Sequence, residues 1–173
     1  MSLPPPEERF KERLIQFCEY VKGILKNAND NGIETPASPF VMDLIKNFVK
    51  KEEADKILAT FLLRSYDNWE KVRSREKNFF RTDGLKAFHG IPEKSVDDFN
   101  KLFDVIKPNG EPLLDDSTME GIWQLFESLI KTSVVFVHHQ RCPDPVTKKY
   151  TKNYFPGMSI KKQVELWNIT SLE

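Results

Sequence analysis

Three residues late in the chain have the types that could do chemistry: His138, His139 and Cys142, with His89 as a distant fourth. Imidazoles and thiolates are zinc ligands, and a thiol within reach of an imidazole base is a nucleophile. Zinc needs three or four such groups converging, and the spaced pairs of cysteine or histidine that usually supply them are missing. Neighbouring histidines on a helix point about 100° apart, so the spacing predicts one toward the core and one toward solvent. A cysteine nucleophile would need a glycine-rich elbow or a third, orienting residue, whereas Cys142 opens the turn CPDP. Asp97, Asp98, Asp104, Asp115 and Asp116 could share a divalent cation if they converged, but Asp115 and Asp116 precede a helix, where carboxylates serve as caps. The seven glycines are scattered and form no phosphate-cradling loop. The expectation is a protein that is not an enzyme and uses neither metal nor cofactor.

Charge patterning is more informative. Lysine plus arginine equal aspartate plus glutamate at 26 each, so bulk charge would not draw the molecule onto nucleic acid, and any such binding needs a local patch. Acids exceed bases by about five between Glu93 and Glu120, and the balance reverses by a similar margin between Arg141 and Lys162. In the basic part, Lys148, Lys149 and Lys152 interleave with Tyr150, Tyr154 and Phe155, a pattern that can track phosphates while bases stack. A second basic run holds Arg64, Lys71, Arg73, Arg75, Lys77 and Arg81, diluted by Asp67, Glu70 and Glu76. Its plain reading is a solvated helix face with pairs such as Asp67 with Lys71. Phe79, Phe80, Tyr154 and Phe155 lie beside turns or among bases and are the aromatic candidates for an interface. Arg73, Arg75, Lys77, Arg81 and Lys148 to Phe155 therefore make the expected working surface. Its partner is a protein, a second copy of the chain, or nucleic acid.

These residues must be positioned by helices. With 173 residues, 39% of them apolar and 30% charged, the chain suits one domain with a real core. Met119, Ile122, Trp123, Phe126, Leu129, Ile130, Val134 and Val137 keep one face of a helix, the spine of the fold, with Ser117 and Glu120 as its capping box. Upstream, the triple proline before Glu7 starts a first helix reaching Asn27. Ser38 caps a second, with Phe40, Leu44, Ile45 and Phe48 inward. A third begins near Glu52 and bends at Ser65 to Asn68. Ser95 caps a helix with Val96, Phe99, Leu102, Phe103 and Ile106 inside, and Ser159 caps the last. No strand finds a pairing partner. The expectation is an all-α, single-domain bundle of about six or seven helices over residues 9–170, after a flexible segment 1–8. Two cysteines, no secretory pattern and no run of about twenty apolar residues predict a soluble chain in a reducing compartment, away from membranes.

Over RSYDNWEKVRSREKNFF (Arg64 to Phe80) and GIWQLFESLIKTSVVFVHHQRCPDP (Gly121 to Pro145), the chain resembles a protein of giant nucleocytoplasmic DNA viruses, most nearly the marseilleviruses. The resemblance implies a small soluble protein made in the host cytoplasm, with the virion as a destination, and it brings no catalytic residues. The functional expectation is a virion-associated, non-enzymatic protein that acts through protein–protein contacts, with a nucleic-acid-binding accessory role as the alternative.

Overall fold

The longest helix, Asp116–Arg141, is the centre of the computed structural model, which describes residues 3–88, 90–141 and 157–173. In chain order the elements are α1 (Pro6–Asp30), α2 (Pro39–Lys51), α3 (Ala54–Ser65), a 3-10 turn (Tyr66–Asn68), α4 (Trp69–Arg73) and α5 (Phe79–Thr82). A second 3-10 turn (Leu85–Ala87), α6 (Glu93–Leu102), α7 (Asp116–Arg141) and α8 (Ile160–Trp167) complete it. The chain is an all-α, single-domain bundle. Among the described residues the only extended pairing is one isolated bridge between Ile106 and Pro112. No described helix is long and apolar enough to cross a membrane.

The sequence of α7 explains its place. Its first half buries the Ile122, Trp123, Phe126, Leu129 and Ile130 stripe, while every residue from Thr132 to Val137 is buried, as in a helix enclosed on all sides. Enclosure requires the hydroxyls there to be satisfied. Thr132 Oγ1 donates to the Ser128 carbonyl at 2.7 Å and Ser133 Oγ to the Leu129 carbonyl at 2.8 Å, so both turn back onto their own helix. Helix α1 lies along α7 and also packs on α2 and α3. Its Arg13 guanidinium donates to the Ser128 carbonyl at 3.1 Å and to Thr132 Oγ1. Burial of this guanidinium, with Arg9 nearby, holds its pKa below the ordinary arginine value.

Phe126 joins the layers. Its ring meets Phe61 of α3, Phe79 and Phe80 of α5, and Phe88, with centroids 5.3–6.1 Å apart in tilted or edge-on geometry. Helix α8 is docked by tryptophans: Trp167 meets Trp69 edge-on at 6.4 Å. Each indole N–H is satisfied four residues away, Trp69 by Ser65 Oγ at 2.9 Å and Trp167 by Gln163 Oε1 at 3.1 Å.

Several sequence expectations are corrected. Phe79 and Phe80 are 1% and 0% exposed, because the single turn of α5 lays both rings against α7. They are core, not interface. On α2 the buried set is Met42, Ile45 and Val49, which turns Phe40 and Leu44 outward at 63% and 53% exposure. Ile106 is likewise outside. The cap of α7 is Asp115, whose carboxylate accepts the Thr118 N–H at 2.7 Å, so Ser117 is not the cap and Glu120 closes no capping box. Helix α6 starts at Glu93 after Pro92, ahead of Ser95. Ser159 does cap α8, accepting the Lys162 N–H at 3.3 Å. Helix α1 begins at Pro6, within the segment expected to precede the domain.

Candidate interaction cleft

The residues with chemical potential are dispersed. The His138 and His139 rings stand 6.0 Å apart at 62°. His139 Nε2 donates to the Leu172 carbonyl at 2.6 Å, and burial, aided by the neighbouring His139 and Arg141 charges, lowers the His138 pKa. Cys142 and His89 lie outside the described residues. Among the described residues no three His, Cys, Asp or Glu side chains group as a metal site. The aspartates serve separately: Asp98 pairs with Lys94 at 2.9 Å, Asp104 with Arg81 at 2.9 Å, and Asp115 caps α7.

The second basic run turns out to be a set of clasps. Lys71 reaches Asp83 at 3.6 Å, instead of Asp67 in the 3-10 turn before its helix. Arg73 Nε donates to Glu70 at 2.9 Å. Arg81 donates to Asp104 and, at 3.0 Å, to the Phe103 carbonyl, tying α5 to the end of α6. Lys77 is exposed and has no ion-pair partner among the described residues. The other expected surface residues, Lys148, Lys149, Tyr150, Lys152, Tyr154 and Phe155, lie outside the described residues.

Arg75 is the most constrained of the four. It sits between α4 and α5 with a left-handed backbone, φ 55°, which disfavours any residue with a Cβ. Its guanidinium donates to Glu120 at 2.9 Å and to Glu127, and lies 5.6 Å from the centroid of the Trp123 indole. Glu120, Trp123 and Glu127 recur at the spacing of one helix face, so α7 presents an aromatic plate flanked by two carboxylates. Burial disfavours the Arg75 charge, but the two carboxylates outweigh it and hold its pKa above the ordinary value. The same contact holds the Glu120 carboxyl below its ordinary value.

Arg75, Lys77 and Arg81 all line a cleft of about 560 Å³. Asp104, Asp116 and Glu120 line it too, Asp104 paired with Arg81 and Glu120 with Arg75, and the floor is apolar, with Phe103, Leu114, Met119 and Trp123. Ile106, 57% exposed, and Pro112 form its edge. A concave apolar floor with a few charges at the rim is the form of a binding site. Three of the four described basic candidates, Arg75, Lys77 and Arg81, are thus brought together. Arg73 is paired with Glu70 and does not line the cleft.

Sequence reasoning missed the acidic and apolar side of this cleft. The available signal was the stretch from Val105 to Leu114, where Ile106, Leu113 and Leu114 stand among proline, asparagine and glycine in a connection with no helical period. Fold and cleft define the class, an all-α bundle with an open, mixed-charge cleft. Comparisons with protein-family models, with curated proteins and with solved structures give no match to this chain.

Proposed function

We propose that the protein is non-enzymatic and works through contacts with other proteins, using the cleft between Arg75–Arg81 and the start of α7. The viral setting implied by the sequence resemblance belongs to this proposal, with the host cytoplasm or the virion as the place of action. The observation that carries the reading is the cleft itself: an apolar floor with Ile106 left outside at its edge, and a lining of three bases and three acids. Such a balanced rim suits a polypeptide better than a polyanion. Nucleic acid would need unspent cations. Within the 73–81 stretch Arg73, Arg75 and Arg81 are held by carboxylates, which leaves the alternative to rest on Lys77 with Lys148, Lys149 and Lys152.

Affinity capture from infected host cells with the wild-type chain and with Ile106→Asp, matched for folding by circular dichroism, tests the reading. A defined set of proteins retained by the wild type and lost with the variant is expected. Identical sets would refute the cleft as the working surface. In parallel, binding of a labelled oligonucleotide across a salt series tests the alternative. A steep fall with ionic strength, flattened by alanine at Lys148, Lys149 and Lys152, would favour it over the protein-contact reading.

A further inference from the structure

We infer that the cleft takes an extended peptide segment of a partner protein, one that pairs as a strand with Ile106 and carries an apolar residue flanked by one acid and one base. This rests on the cleft being the contact surface and adds the occupant's chemistry.

The first observation is the backbone at the cleft's edge. Between α6 and α7 the chain makes a small hairpin: Lys107 N–H donates to the Glu111 carbonyl at 2.8 Å and Leu113 N–H to the Val105 carbonyl at 2.9 Å. These two bonds flank the Ile106–Pro112 bridge, so those two residues are the non-hydrogen-bonded pair of an antiparallel ladder. In such a pair the N–H and C=O of each residue point away from the other strand. Pro112 has no N–H to offer on its side. Ile106 has both groups, and among the described residues no backbone group pairs with either. A half-exposed Ile106 thus presents one donor and one acceptor at the lip of an apolar cleft, which is the template for strand addition.

The second observation is charge. Of the six charges lining the cleft, Arg75 and Glu120 hold each other, as do Arg81 and Asp104. Lys77 and Asp116 are the two without an ion-pair partner among the described residues, and they have opposite signs. The complementary segment carries one acid for Lys77 and one base for Asp116, with its apolar side chain on Leu114, Met119 and Trp123. A guest helix would satisfy its own backbone and leave the Ile106 groups unused.

A displayed library of random linear dodecapeptides, selected on the full wild-type chain, tests this. Selected sequences are expected to share an apolar residue flanked by an acid and a base. On the wild-type protein, N-methylation of the peptide amide that meets Ile106 should weaken binding about tenfold, the size of one lost main-chain bond. The Ile106 amide should exchange more slowly with deuterium in the complex. The charge-reversed pair Lys77→Glu with Asp116→Lys should prefer peptides with acid and base exchanged. Peptides that compete for the cleft but are indifferent to N-methylation at every position would overturn the strand mode while leaving the protein-contact reading intact. Selected peptides that bind Ile106→Asp as well as wild type would overturn both.

Discussion

Arg75 is a position where backbone strain and side-chain contacts can be separated by two substitutions. Its left-handed backbone costs a residue with a Cβ about 1 kcal/mol that glycine does not bear. Against this stand the indole of Trp123 and the carboxylate of Glu127, which is 23% exposed. After allowance for solvent screening these contacts are worth about 1–1.5 kcal/mol. Arg75→Ala loses them and keeps the strain, so it should destabilise by about that amount. Arg75→Gly loses them and sheds the strain, so it should lie within about 0.5 kcal/mol of wild type. Urea unfolding followed by tryptophan fluorescence, with equal slopes for the three proteins, gives the differences from the midpoints. Finding Arg75→Gly as unstable as Arg75→Ala would refute the left-handed backbone held in place by its own side chain.

Other substitutions probe the rest of the fold. Phe126→Ala empties the meeting point of four phenylalanine rings and should cost about 3–5 kcal/mol by the same unfolding measurement; a cost below about 1 kcal/mol would contradict its central place. Gly90 has φ +79° and packs against the Phe48 ring, whose Cε1 would lie 2.6 Å from an added Cβ, so Gly90→Ala should destabilise by about 2 kcal/mol or more. Cys18 is 2% exposed, and burial pushes its thiol pKa up to about 12, so in a Cys142→Ser background it should resist a thiol reagent until urea unfolds the chain. Prompt labelling of the native protein would contradict its burial.

Stability should fall on acidification. Glu19 beside Lys46, Asp43 beside Lys22, Glu70 beside Arg73, Asp115 under the Thr118 N–H and Glu120 beside Arg75 all have carboxyl pKa values held below the ordinary range. The unfolded chain therefore binds protons first as pH falls, and the stability present above the carboxylate range is lost through it. His138, whose pKa is lowered by burial, starts the decline below about pH 6.5. Urea midpoints that stay level from about pH 6.5 to 3 would contradict these pairings.

Much of this fold was legible because α1, the first half of α7 and α8 carry a single apolar stripe each, and one stripe has one way to face a core. Helix α2 carries two. Phe40, Leu44 and Phe48 form one, Val41, Ile45 and Val49 the other, about 100° apart, so periodicity alone does not choose which is buried. Phe79 and Phe80 were misread for a different reason: a four-residue helix is too short to show a period, and its burial depends on α7, distant in sequence. The basic run was visible as composition, but its meaning was not. Glu120, Glu127 and Asp104, the acids that hold Arg75 and Arg81, lie 23–52 residues away. The cleft therefore exists only in three dimensions, with the sequence showing only its basic residues.

Site-specific photo-crosslinking in cells that make the protein bears most directly on the cleft as the working surface. A benzophenone amino acid is placed at position 106, on the cleft's edge, and, in separate proteins, at positions 44 and 63, whose leucines are exposed elsewhere on the molecule. Discrete protein adducts from position 106, and none from 44 or 63, are expected. Adducts from 44 or 63 with none from 106 would contradict it.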